Sequence, residues 1–132
     1  MRFLQTILLL LCCFFVGRAQ DKVVFKRLNI ESGLSQSSVL SITQDAQGFM
    51  WFGTRFGLNK YDSRNFKIYV KEKSNEKSLS HSGYISSILP SKDGGLWVGT
   101  QFGLNKYNEA KDNFDRITHK EIDKYSISSS KI

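Results

Sequence analysis

The sequence predicts an all-β fold of β-propeller blades: two four-stranded antiparallel blades plus an orphan N-terminal strand, in an incomplete ring. Three observations lead there. The segment from Trp51 to Tyr61, WFGTRFGLNKY, returns from Trp97 to Tyr107 as WVGTQFGLNKY, with nine of eleven positions identical and an offset of 46 residues. A period of this size marks stacked supersecondary units. Glycine-bearing turn signals cut each unit into four short runs of strand-forming residues. Neighbours within those runs are both apolar, Trp51 with Phe52 and Trp97 with Val98, so both faces of each sheet need a partner. A sandwich strand with one wet face alternates instead; a blade between two other blades does not.

Residues 1–20 precede this architecture. Arg2 supplies a positive start, Phe3 to Val16 an apolar run broken only by Gln5 and Thr6, and Gly17-Arg18-Ala19 the small residues of a cleavage site. The pattern predicts a signal peptide cleaved near Ala19 or Gln20, and hence an exported, periplasmic protein. The apolar run is too short for a membrane anchor. The leucines ahead of Cys12 and Cys13 are not the small residues that a lipid-attachment site prefers. These two cysteines are the only ones, so the mature chain has no disulfide framework, thiolate metal site or cysteine nucleophile. The formal charge of +7 becomes +5 without Arg2 and Arg18. Export argues against nucleic acid as a partner of this segment. Lys71, Lys73 and Lys77 interleave with Glu72 and Glu76, the pattern of a solvated loop, and the charge alone does not single out an acidic polysaccharide.

Residues 21–38 are a lead-in. Phe25-Lys-Arg-Leu28 resembles Phe66 to Tyr69 and Phe114 to Ile117, the fourth strands of the repeats, and is expected to be an orphan outer strand that completes the last blade of a ring. Blade 1, residues 39–70, has strands over 39–45, 50–54, 58–62 and 66–70. Residues 71–84 are an inter-blade loop. Blade 2, residues 85–118, has strands over 85–89, 96–100, 104–108 and 114–118. Asp93-Gly94 is a hairpin signal because both residues tolerate positive φ. The last turn of blade 2 is two residues longer than its counterpart. Residues 119–132, with Tyr125 to Ile132 resembling Leu79 to Ile85, start a third, truncated blade. The remaining blades of a longer chain are then the expected neighbours.

The repeated residues read as scaffold. Gly53 and Gly99 end the second strands, where a neighbour's backbone runs close. Gly57 and Gly103 sit in the next turn and are expected to supply positive φ. Trp51, Thr54, Leu58 and Tyr61, with Trp97, Thr100, Leu104 and Tyr107, complete the set. Every repeat needs its own core, whereas a catalytic group need occur only once.

The stretches Gln44 to Thr54, Gly57 to Tyr61, Asp93 to Thr100 and Gly103 to Tyr107 resemble the two-component regulator propeller repeat. Phe25-x-x-Leu28 followed by Glu31 to Val39 resembles the start of the N-terminal periplasmic sensor region of hybrid two-component system histidine kinases. The resemblance covers nearly all of residues 23–132 and implies a regulator of polysaccharide use. Such proteins typically continue through two propellers, an immunoglobulin-like domain, a membrane helix, a histidine kinase, a receiver and a DNA-binding domain, none of which this sequence contains. Pro90-Ser91 departs from the repeat where Gln44-Asp45 stands in the first unit.

No constellation suggests catalysis, so this chain is expected not to be an enzyme. His81 and His119 are the only histidines, and no Ser–His–acid set, carboxylate pair, phosphate loop or metal cluster recurs. No cofactor and no metal are expected. The serines around Ser35 and Ser126 read as polar loops. In a propeller, the loops entering first strands share a face with the turns leaving second strands. That face would present Arg55, Phe56, Gln101 and Phe102 with Ser35, Gln36, His81 and Tyr84. Rings among amides and hydroxyls suit a sugar. Phe56 and Phe102 recur and equally suit blade packing; Arg55 and Gln101 differ between repeats and are better placed for specificity. The function expected is a non-catalytic ligand-sensing module, a truncated N-terminal part of a periplasmic carbohydrate-responsive sensor. Its partner would be an oligosaccharide, and the full-length protein could form a homodimer. The alternatives are a fragment of an exported propeller enzyme, a lyase or hydrolase, and a purely structural propeller.

Overall fold

The computed structural model describes residues 23–129, 131 and 132; the expected signal peptide lies outside them. Two antiparallel four-stranded sheets follow one another along the chain, each a meander in which every strand pairs with the next. The first holds β1 (Val39–Gln44), β2 (Met50–Thr54), β3 (Leu58–Tyr61) and β4 (Phe66–Tyr69). The second holds β5 (Ser87–Pro90), β6 (Leu96–Thr100), β7 (Gly103–Asn108) and β8 (Asn113–Ile117). No helix among the described residues is long and apolar enough to cross a membrane.

The two repeats have the same ladder register. Trp51 stands between Thr43 and Lys60, and Trp97 between Leu89 and Lys106. In each sheet the lysine ammonium lies 5.2 Å from the indole beside it. The sheets stack so that the Trp51 face of the first meets the Val98 face of the second. Trp51, Leu58, Leu96, Val98, Tyr107 and Phe114 are buried in that seam. Tyr107 meets Trp51 edge-on at 4.9 Å, and Tyr69 stacks on it at 5.7 Å. The indole N–H of Trp51 donates to Asp45 at 2.7 Å. Ser91 stands in the place of that carboxylate in the second repeat, and Trp97 is only half-buried. Ladder position is therefore shared by the tryptophans, and coverage is not, because only Trp51 faces another sheet. The opposite face of the first sheet carries Tyr61 stacked on Phe66, with Phe52 edge-on to the first and tilted to the second, and with Ile42 and Ile68 exposed beside them.

The seam is closest at Gly53. Ile85 donates its N–H to the Thr54 carbonyl at 3.0 Å and accepts from the Ser41 hydroxyl at 3.0 Å. Ile85 is thus a residue of the seam, and β5 starts two residues beyond it. The same contact returns at the second sheet, where Ile132 donates to the Thr100 carbonyl at 3.3 Å.

Residues 25–28, expected to complete the last blade of a ring, form no ladder with any described strand, and Phe25 is 91% exposed; no such last blade is among the described residues. Lys26 instead reaches the Tyr61 hydroxyl at 3.0 Å. The hairpin expected at Asp93-Gly94 is present between β5 and β6; of the two residues only Gly94 has positive φ, +88°, and the turn closes with Ser91 donating to the Gly95 carbonyl at 2.8 Å. The two extra residues before β8 do not lengthen a turn. They add one rung to the ladder, Asn108 opposite Asn113. The positive φ expected at Gly57 and Gly103 is present, at +91° and +136°.

Candidate ligand-binding face

In a four-stranded meander the turns alternate between the two ends of the sheet. The β2–β3 turn (residues 55–57), the β6–β7 turn (101–102) and the loop joining the sheets (70–86) therefore emerge at one end. The β1–β2 and β3–β4 turns and their counterparts emerge at the other.

Each loop entering a sheet is pinned by the same buried polar set. Asn59 accepts from the Ser35 amide at 2.9 Å and donates to the Ser35 hydroxyl at 2.8 Å and the Phe52 carbonyl at 3.2 Å. Asn105 does the same with Ser80 at 2.8 and 3.0 Å and with Val98 at 3.2 Å. Thr54 and Thr100 each hold the serine hydroxyl at 3.0 Å and donate to the carbonyl of Gly57 or Gly103. Leu34 and Leu79, beside the two serines, are buried. Asn59 and Asn105 were legible only as members of the repeat; their part in holding the loops had no separate signal. A buried side-chain amide needs partners for its donors and acceptor, and the loop backbone provides them. Ser35, expected on the binding face, is consumed by this set, and Gln36 is turned onto the Ser38 amide.

The loop 70–86 also binds the first sheet. Gly57 donates to the Ser82 carbonyl at 2.6 Å and Tyr84 to the Arg55 carbonyl at 3.4 Å, and Phe56 bridges Gly83. Tyr84 takes positive φ, 51°, which turns its ring out of the seam. The six candidates Arg55, Phe56, His81, Tyr84, Gln101 and Phe102 are thereby gathered at one end, in two groups. Phe56 and His81 line a hollow with Lys71, Lys73, Ser82 and Gly83. The His81 ring lies 4.5 Å from Phe102, and its Nδ1 accepts from the Gly83 amide at 2.9 Å. Tyr84 and Gln101 line a second hollow with Ser86, Lys131 and Ile132, and the Arg55 guanidinium sits 5.6 Å over the Tyr84 ring. Phe56, Tyr84 and Phe102 are each about half exposed, at 54%, 49% and 51%. Packing residues of the core are covered far more completely, so these rings have surface to offer.

The remaining polar cluster belongs to the outer edge of the seam. Asp112 accepts from the Tyr69 hydroxyl at 2.6 Å and the Tyr107 hydroxyl at 2.8 Å and pairs with Lys67. Burial, with Asp112 adding to it, pushes the Tyr69 phenol up, and burial chiefly pushes Tyr107 up to about 12. Burial alone would raise the Asp112 carboxyl, but Lys67, Tyr69 and Tyr107 together hold it below its ordinary value. Asp93 is brought down to about 2 by Lys106 and Ser91. Asp112 thus ties β4 to the second sheet across the seam, and Asp93 ties the β5–β6 turn to β7 within the second sheet. Among the described residues no three His, Cys, Asp or Glu side chains gather as a metal site.

The two-component regulator propeller family model matches residues 33–56 and 78–102. Each match runs from an incoming loop through the first two strands to the turn that follows. Histidine kinase P4 of Formosa agariphila is 51% identical over 57 residues, which is 43% of this chain and 4% of that protein. The solved extracellular domain of a hybrid two-component system of B. thetaiotaomicron aligns with a TM-score of 0.73 at 36% identity, over 80% of this chain and 15% of that one. The chain therefore spans a small part of the length of either relative.

Proposed function

We propose that this chain, matched by the two-component regulator propeller model over residues 33–56 and 78–102, is a ligand-sensing segment of an extracytoplasmic, carbohydrate-responsive two-component sensor. In this reading the chain is exported to the periplasm, joins further blades of a longer protein, and does no chemistry itself. The observation that carries the reading is the 36% identity, over 80% of the chain, to an extracellular domain of a hybrid two-component system. The loop-bearing end of the two sheets supports a sugar as the ligand, with half-exposed rings among amide, hydroxyl and cationic groups. A sensor must also favour one of two arrangements on binding, since a ligand with equal affinity for both shifts nothing. The test is a reporter of the signalling pathway in cells supplied with a panel of oligosaccharides, paired with calorimetry on the purified extracytoplasmic region. The expected result is binding and induction by one glycan class, reduced by Arg55→Ala with Gln101→Ala. Turnover of a sugar by that region, or absence of any response across the panel, would overturn the reading.

A further inference from the structure

The hollows of this chain differ in charge balance. Those among the outer strands and opposite turns mix both signs: Asp93, Glu109 and Asp115 with Lys106 in one, Asp62 and Asp112 with Lys60 and Lys67 in another, Glu72 and Asp112 with Lys67 and Lys77 in a third. The two hollows on the loop-bearing end are lined by no acidic side chain and carry Lys71 and Lys73 in one and Lys131 in the other. The ion pairs among the described residues use Lys67, Lys77 and Lys106. Lys71, Lys73 and Lys131, and Arg55 over Tyr84, have no carboxylate partner among those residues. Of the two acids within the loop, Glu72 accepts from the Asn75 side chain at 3.1 Å and lines an outer cleft instead, and Glu76 lines neither of these two hollows.

From this we infer that the loop-bearing end binds an acidic oligosaccharide, one carrying carboxylate or sulfate groups. The inference rests on the carbohydrate-sensor reading and narrows it. The exposed faces of Phe56, Tyr84 and Phe102 would take the apolar faces of sugar rings. Arg55 has the planar fork that pairs bidentately with a carboxylate or sulfate, and the lysines act as point charges along the same surface. A neutral sugar has no use for several uncompensated cations beside those rings, whereas an acidic one gains from each.

The experiment is calorimetric titration of the full chain with three probes of the same sugar type: short oligogalacturonates, their fully methyl-esterified counterparts, and sulfated galactan oligosaccharides. Binding of at least one charged probe is expected, weakening as salt rises because exposed charges are screened within about 8 Å at physiological ionic strength. The methyl ester should bind at least about tenfold more weakly than the free acid if the carboxylate arm is the one that binds. Lys71→Ala with Lys73→Ala, and Arg55→Ala, should each weaken the charged probe about tenfold. Lys71→Arg with Lys73→Arg should restore it, and Lys92→Ala in an opposite turn should change nothing. Should the alanine variants unfold, the ester comparison and salt series on the unaltered chain decide the matter. Equal binding of neutral and charged probes would overturn the acidic ligand while leaving the sensor reading in place. Failure of all three probes, and of neutral glycans as well, would overturn both.

Discussion

Ile85, two residues before the second sheet, lies against Gly53 of the first so closely that a Cβ at position 53 would come within 2.6 Å of the Ile85 carbonyl oxygen and 2.8 Å of its Cγ2. Gly99 stands in the same relation to Ile132, whose Cγ2 would be 2.8 Å from an added Cβ. The glycine is there because the neighbour's backbone occupies the space of a side chain, and that backbone is tied down by its bond to Thr54.

Gly53→Ala should therefore destabilise the chain by about 1–3 kcal/mol, the usual range for overpacking, with loss of contact between the sheets. Gly94→Ala is the comparison. Nothing lies within 4 Å of its added Cβ, and only the positive φ opposes it, so about 1 kcal/mol is expected. Urea denaturation of both variants checks the order; equal losses would mean that the seam at Gly53 can open.

The tryptophans separate ladder position from burial. Trp51→Ala should cost about 3–5 kcal/mol, as for other buried aromatic residues, while Trp97→Ala, on a half-open face, should cost clearly less. Fluorescence of the two single-tryptophan variants gives a second readout: the emission of Trp51 should lie to the blue of that of Trp97. Coincident spectra would contradict the coverage seen here.

The loop-pinning amides offer a test that links stability to the binding face. Asn105→Ala leaves the Ser80 amide without its acceptor and should cost about 1–3 kcal/mol. Amide exchange at Ser80 should speed up before that of β7 is affected. A double-mutant cycle with Ser80→Ala should show coupling above about 0.5 kcal/mol, as expected for residues in one network.

Two pH limits follow from the seam. Tyr107 ionises near 12 when folded, against an ordinary 10.0, and Tyr69 is shifted the same way. A raised folded value means that the contribution is complete below pH 10 and is lost as pH climbs towards 12. Urea midpoints should fall over that interval, and less so in Tyr69→Phe with Tyr107→Phe. On the acid side Asp93 runs the other way, from 3.8 to about 2. Its contribution is complete above pH 4 and fades as pH falls towards 2, and Asp93→Asn should flatten that limb.

Strands β2 and β6 were legible to the residue because Trp-x-Gly-Thr combines a ladder pattern with a glycine required at its end. The outer strands were less so. The extra residues before β8 could not be assigned to turn or ladder from composition, and the Asp112 they supply to Tyr69 and Tyr107 had no counterpart in the first repeat to announce it. Ile85 looked like the start of a strand because an isoleucine before a polar run fits one; its bond across the seam depends on a neighbour that no local pattern reveals. The six candidate residues could be placed at one end of the sheets because turn order alone dictates which ends meet. That Arg55 would sit over Tyr84, or His81 against Phe102, depended on the path of a seventeen-residue loop (70–86), which periodicity does not describe. The lead-in at residues 25–28 matches a fourth strand in sequence, but a strand exists only where another offers it hydrogen bonds, and the blade it would complete is not among the described residues.

The loop 70–86 is stitched to the first sheet through Gly57, Thr54 and Arg55 and to the second through Asn105 and Thr100. It is laid out as a tendon between two plates. A ligand that gripped Lys71, His81 or Tyr84 would pull on both plates at once, and the tilt between neighbouring sheets would be the variable that occupancy sets. A repeat protein wired this way can pass a local tug to its neighbours as a change of pitch, with each Gly–Ile contact serving as the pivot.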